Sequence, residues 1–333
     1  MQPAGTISEL VVVCRELGKT DASLGWLVSV ANSAWLMRAN FCLSDAVCTD
    51  MNVNSMIAMV LGRPGSLQRS SSGDGWLLSG IWKYASGYPY SSYFFCLAET
   101  IEENVQVVLV PSHQLKVVDE WRSIGLIATQ SVTIQAENIH IPDSFVTPYD
   151  PVLAGLTASY PSSGLSYVRY FTGVLMNCLP ATLLGATESA LALVLEEFGV
   201  PITGSTYSSM YSSGPARYEI GRLCSVLDLH IRAAEYNASV IDTAAYEGRT
   251  LTVGERVAIR GRATQIMRGC VDIVQDLLWL RGSSSFEKGN PLEKIWRDIN
   301  VGARHGGFAK LVPEELVGLM ALGDDPASLT RMF

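Results

Sequence analysis

Strand-like segments in this chain fall in one block, with helical patterning on either side, and few layer architectures accept that order. Residues 1–60 read as helices: Ile7, Leu10, Val11, Cys14 and Leu17 fall on one face at helical spacing, and Thr20-Asp21 caps a second apolar helix over about 23–41. From 61 to 147 the pattern changes. Glycine and serine punctuation (GRPGS, SSSGDG) separates short runs rich in Val, Ile, Tyr and Phe, and the runs predict strands at 76–85, 93–99, 105–110, 115–118 and 131–141. From about Pro180 the helical period returns, predicting helices over 183–198, 217–246, 253–280 and 291–303. In the second of these, Ile220, Leu223, Leu227, Ile231 and Ala234 recur at steps of three and four, and Gly282 is a C-cap for the third. Strands segregated between helical regions predict an α+β architecture and not a doubly wound sheet. The expected division is an N-terminal helical region at 1–60, a central β domain at 61–147 and a C-terminal helical bundle at 148–333.

Composition narrows the function classes. Apolar residues make up 48% of the 333 residues, charged residues 17%, and the mean hydropathy is +0.22, so apolar surface is expected at subunit interfaces as well as in the core. No run reaches 18 uncharged apolar residues, and MQPAGTISEL lacks a basic region followed by an apolar stretch; neither a membrane span nor a signal peptide is expected. The seven cysteines are scattered without a C-x-x-C pair, which predicts reduced, mostly buried thiols and a cytoplasmic protein. A formal charge of −8 without a Lys/Arg cluster argues against nucleic acid. No metal-ligand spacing, P-loop, Rossmann G-x-G-x-x-G or G-x-S-x-G elbow is present.

Two places ask for chemistry. Tyr84-Ala85-Ser86-Gly87 sets a large ring, a hydroxyl and a glycine at the turn between two predicted strands. Read locally, this is either a hairpin end with a buried tyrosine and a serine turn, or a turn that faces a ligand. His305, one of four histidines, follows Trp296-Arg297-Asp298; it is either a structural residue or an acid–base group whose ordinary pKa lies near neutrality.

Four stretches run in one order across nearly the whole chain: DASLGW (21–26), GDGWLLSGIWKYASG (73–87), WRSIGLIATQSVTIQAENIHIP (121–142) and LRGSSSFEKGNPLEKIWRDINVGARH (280–305). Together they resemble the acyl-CoA dehydrogenase superfamily, and most of all its flavin-dependent monooxygenase branch, the oxygenase components of two-component systems. The resemblance implies an acyl-CoA-dehydrogenase-like fold. It implies that Tyr84 stacks on the flavin ring and that Ser86 reaches flavin N5, where N5–H must be held to keep a C4a-hydroperoxide from eliminating peroxide. It places Thr129 and Ser131 by the ribityl chain or phosphate, Gly282 and Ser283 by the adenine and pyrophosphate, Trp26 in the wall of the substrate pocket, and His305 as base or orienter. The Arg297-Asp298 pair reads more simply as a helix-packing ion pair.

Three departures qualify the resemblance. The chain starts at or inside the point where relatives carry further N-terminal helices, so one pocket wall is expected to be missing or rebuilt. Ala34 stands where several phenol hydroxylases carry a histidine, and Gln130 where a glycine is usual. The implied function is hydroxylation of a small phenolic or polyketide-like molecule, with FMNH2 or FADH2 diffusing from a separate NAD(P)H:flavin reductase and the enzyme a homotetramer. Alternatives are N-oxygenation of an amino sugar, a flavin-free binding or non-redox protein on the same scaffold, and an acyl-CoA dehydrogenase. The last lacks its glutamate, since the chain reads Ala303-Arg304-His305-Gly306 at that place.

Overall fold

The structure is a computed structural model and describes residues 5–51, 56–156, 167–308, 311–330 and 332. Helix α1 (Ile7–Thr20) opens on a reciprocal cap, with Thr6 Oγ1 accepting from Glu9 N–H at 3.1 Å and the Glu9 carboxylate accepting from Thr6 N–H at 2.6 Å. Helix α2 (Ala22–Arg38) starts at Asp21, whose carboxylate accepts from the N–H groups of Ser23 and Leu24 at 2.7 and 3.2 Å. A short α3 (Asp45–Asp50) leads to the strands.

The described residues form one seven-stranded sheet from β1 (Met56–Arg69), β2 (Trp76–Ala85), β3 (Ser91–Glu99), β4 (Val105–Pro111), β5 (Lys116–Asp119), β6 (Val132–Ile141) and β7 (Val146–Pro148), in the order β5-β6-β2-β1-β3-β4-β7. Only β1 and β3 run parallel; the other pairs are antiparallel. The five predicted strands lie within one or two residues of β2 to β6. Strand β1 was not expected, because Gly62-Arg63-Pro64-Gly65 reads as punctuation. The structure carries that stretch inside the strand, where the pairing with β3 slips between Val60 and Gly65, and a proline fits a break in the ladder.

The remaining helices are α4 (Tyr149–Ala154), α5 (Phe171–Glu196), α6 (Gly214–Tyr246), α7 (Val253–Arg281), α8 (Pro291–Gly302) and α9 (Val312–Leu322). Helix α5 starts well before the expected residue 183 and holds Pro180 in its interior, not at its first turn. It is long and apolar enough to cross a bilayer, yet every residue from Phe171 to Thr187 is buried against protein, chiefly α1, α2, α6 and α7. A Cβ on Gly185 would stand 1.9 Å from the Arg15 carbonyl oxygen, so α1 and α5 cross backbone on backbone. The architecture is the α+β arrangement expected: helices, a central sheet, then a long-helix bundle.

Candidate active site

Strand β2 ends at Ala85, paired with Val132 of β6, and the chain turns at Ser86-Gly87. Gly87 has φ 79°, a Cβ there would meet Met56 Cε at 2.5 Å and Leu27 Cδ2 at 3.1 Å, and its N–H donates to Thr129 O at 2.8 Å. The turn is thereby locked to the segment before β6 with α2 behind it. Ser86 Oγ lies 2.8 Å from Ser131 Oγ, Ser131 Oγ lies 2.7 Å from Thr129 Oγ1, and Thr129 Oγ1 donates to Leu126 O at 2.8 Å. The resemblance implied that Thr129 and Ser131 lie by the ribityl chain or phosphate; the structure turns both hydroxyls inward, with Thr129 fully buried.

Tyr84 projects from the same turn with 66% of its surface exposed, its ring edge-on to Trp121 at 6.0 Å between centroids. Ile127, 51% exposed, adds apolar surface on the neighbouring segment. Three of the six non-glycine residues with left-handed backbone among the described residues are here: Tyr84 (φ 66°), Leu126 (φ 51°) and Gln130 (φ 46°). Each costs on the order of 1 kcal/mol, and strain of this kind collects at functional sites. Gln130 thus adopts the conformation that a glycine takes freely, and the turn survives the departure from the family pattern.

What holds Leu126 in place is Asp298. Its buried carboxylate accepts from Leu126 N–H at 2.6 Å and from Lys294 Nζ at 2.7 Å, and Lys294 also reaches Asp21 at 3.0 Å. Burial alone would lower the Lys294 pKa; the hydrogen bonds to Asp298 and Asp21 outweigh it and raise it. Asp21 is itself held below the usual carboxylate value: burial works against that, and the bond from Lys294 prevails. Arg297 pairs with Glu293 at 2.5 Å and donates to Ile124 O. The Arg-Asp pair is therefore a clamp between α8, the cap of α2 and the Leu126 turn, and three of the four sequence stretches meet at Lys294.

His305 follows α8. Its ring stands edge-on to Trp26 at 5.6 Å and beside Phe308 at 5.8 Å. Gly307 N–H donates to His305 Nδ1 at 3.2 Å, so the proton of the neutral ring is on Nε2. Burial, with the nearby Arg260 guanidinium adding to it, lowers its pKa to about 4. Arg260 is itself buried on α7 and donates to Gly307 O at 3.0 Å and to Met332 O. The expected imidazole titrating near neutrality is corrected here: at pH 7 His305 is a neutral N–H donor and a weak base. Adjacent residues of α2 join the two halves, Leu27 against Gly87 and Trp26 against His305. Ala34 is buried in the same helix.

Gly282 and Ser283 lie apart from this cluster. Gly282 (φ 74°) ends α7, and the Ser283–Phe286 turn stands at the opposite end of α8 from His305, roughly 18 Å away at 1.5 Å per residue. Sequence reading passed over Ser285, whose buried hydroxyl has no partner among the described residues. It also gave no role to Trp121 or Arg260, and read Asp298 only as half of an ion pair, because their roles depend on contacts between distant segments. Among the described residues no group of His, Cys, Asp and Glu is arranged to hold a metal ion.

A central sheet between two helical regions, with a strained turn clamped to the bundle, is an acyl-CoA-dehydrogenase-like fold. Residues 177–310 match the family described as acyl-CoA dehydrogenase, C-terminal domain. The chain is 26% identical, over 348 aligned residues that span 97% of it and 82% of the relative, to the oxygenase component of the FADH2-dependent resorcinol hydroxylase of a Rhizobium species. It superposes on XiaF from a Streptomyces species, solved with FADH2 and glycerol, with a TM-score of 0.88, 25% identity, and 97% and 83% of the two chains covered. The HsaA monooxygenase of M. tuberculosis shares the fold at a TM-score of 0.85 and 18% identity, over 97% and 84%. These relatives support the flavin-dependent monooxygenase branch of this fold.

Proposed function

We propose that the protein is the oxygenase component of a two-component flavin-dependent monooxygenase that hydroxylates a small phenolic or polyketide-like molecule. It takes FMNH2 or FADH2 from a separate NAD(P)H:flavin reductase. The observation that carries this reading is the hydroxyl chain ending on Ser86 beside the exposed Tyr84 ring. Its donor set fits a reduced flavin: a hydroxyl oxygen for a ring N–H, aromatic and apolar surface at Tyr84, Trp121 and Ile127, and a buried unpartnered hydroxyl at Ser285 near the expected phosphate end. When bound, reduced flavin would supply the two electrons that activate dioxygen, one atom of which would enter the substrate while the other leaves as water.

The chain's own groups bind, orient and hold protons. Ser86 Oγ accepts at N5–H, and Tyr84 offers its ring face. Trp26 and Phe308 wall the substrate space at His305, whose Nε2–H orients a substrate oxygen by donating to it. With a pKa near 4, the imidazole is a poor proton acceptor at pH 7 and serves as orienter. The enzyme works in the cytoplasm as a homotetramer, and amino-sugar N-oxygenation is the nearest other chemistry for the same cofactor.

The test is anaerobic titration with photoreduced FMN and FAD, followed by mixing with oxygenated buffer and a panel of phenols. Micromolar binding of a reduced flavin and hydroxylated product are expected. A chain that binds neither flavin would be the flavin-free scaffold instead.

A further inference from the structure

We infer that Thr129 and Ser131 are positioning residues that fix the direction of the Ser86 hydroxyl, making this site selective for the reduced form of its flavin over the oxidised form. The inference rests on the proposed function, in that Ser86 is taken to meet flavin N5. One group in the row has no choice. Leu126 O is a carbonyl oxygen and can only accept, so the hydroxyl 2.8 Å away on Thr129 must spend its one proton there. Thr129 Oγ1 then has only lone pairs to offer Ser131 at 2.7 Å, so Ser131 donates to it. Ser131 has no second proton, so across the 2.8 Å contact Ser86 donates to Ser131. The whole row therefore runs one way, and Ser86 is left with lone pairs alone to present to a ligand.

The carbonyl at the end of the row is not free to turn away. Leu126 O also accepts from Trp121 Nε1 at 3.0 Å and from Thr129 N at 3.1 Å, and Leu126 N–H is held by Asp298 at 2.6 Å. Thr129 is fully buried and Ser131 almost so, which shields the row from water that could reverse it. Reduced flavin carries a proton on N5 and donates; oxidised flavin has a bare N5 and needs a donor. An obligate acceptor satisfies the first and sets two lone pairs against the second.

The measurement is the ratio of dissociation constants for oxidised and dithionite-reduced flavin, taken anaerobically with FMN and with FAD. Ser131→Ala frees the Ser86 proton to turn toward N5. The preference for the reduced form should fall several-fold, about the weight of one hydrogen bond, and the midpoint potential of bound flavin, raised in wild type by that preference, should move down toward that of free flavin. The direction decisive for the proposal is the affinity ratio: oxidised flavin gains while reduced flavin loses. Thr129→Val should act in the same sense, and Thr129→Ser, which restores the proton, should return the wild-type ratio. If Ser131→Ala and Thr129→Val leave the ratio unchanged, or weaken both forms equally, the relay does not set the preference and the inference is overturned while the proposed function stands. If wild type binds neither form, both fall together.

Discussion

Burial and the Arg260 guanidinium keep His305 neutral, and lowering the pH should expose the cost. An unfolded histidine titrates near 6.5 and this one near 4, so between those values the unfolded chain binds the extra proton. Stability is therefore complete above about pH 6.5 and falls as pH drops toward 4, by on the order of 2–3 kcal/mol. His305→Gln should remove most of that slope, measurable as chemical-denaturation midpoints at pH 7 and pH 5; an unchanged slope would mean the ring is solvated. On Ser86, Ser86→Ala should leave substrate binding intact but divert turnover toward hydrogen peroxide, read as the ratio of peroxide to product. Equal coupling in variant and wild type would remove Ser86 from the flavin. Much of this was open to a sequence reader in kind but not in state. His305, Ser86 and Trp26 stood out as residue types within the sequence stretches, whereas the tautomer depends on Gly307 N–H and the relay on a contact between residues 45 apart.

Among elements, the joint at Lys294 carries the most consequence. Asp298 uses both oxygens, one on the Leu126 turn and one on Lys294, and its side chain is buried. Asp298→Ala leaves a strained turn with a bare N–H and should cost about 3 kcal/mol. Asp298→Asn keeps one acceptor and should cost about 1 kcal/mol. Both should weaken flavin binding more than they change the melting of the distant α6–α7 pair, which hydrogen exchange can separate. At the helix crossing, Gly185→Ala has no room beside the Arg15 carbonyl and should destabilise by about 3 kcal/mol or prevent folding. Element type and order were legible because period-2 and period-3.6 patterns were separated along the chain. Two failures have physical causes. Pro64 and its glycines sit in a strand because the ladder slips there, and Pro180 is held inside α5 because a fully buried helix is fixed by packing on all sides.

For the whole molecule, the exposed side of the bundle carries large aromatic and aliphatic side chains among its charged residues. Tyr218, Leu229, Tyr236 and Trp279 on α6 and α7 are 73%, 68%, 57% and 80% exposed. Light scattering at micromolar concentration should give four times the 36.1 kDa chain mass; a monomer would leave those side chains unexplained. The long reach of the fold also has a consequence for biosynthesis. The first turn of α1 is capped by Asp242 of α6, which accepts from Ile7 N–H at 2.8 Å and Ser8 N–H at 3.0 Å, and α1 packs along α5. The cap is 235 residues downstream of Ile7, so at ~5–20 residues per second the ribosome needs roughly 12–50 s to deliver it. Until α5 emerges, Ile7, Val11 and Cys14 lack the helix they chiefly pack on, and until Asp242 follows the first turn of α1 is uncapped, so the nascent chain must be sheltered by chaperones or remain unstructured until its second half emerges.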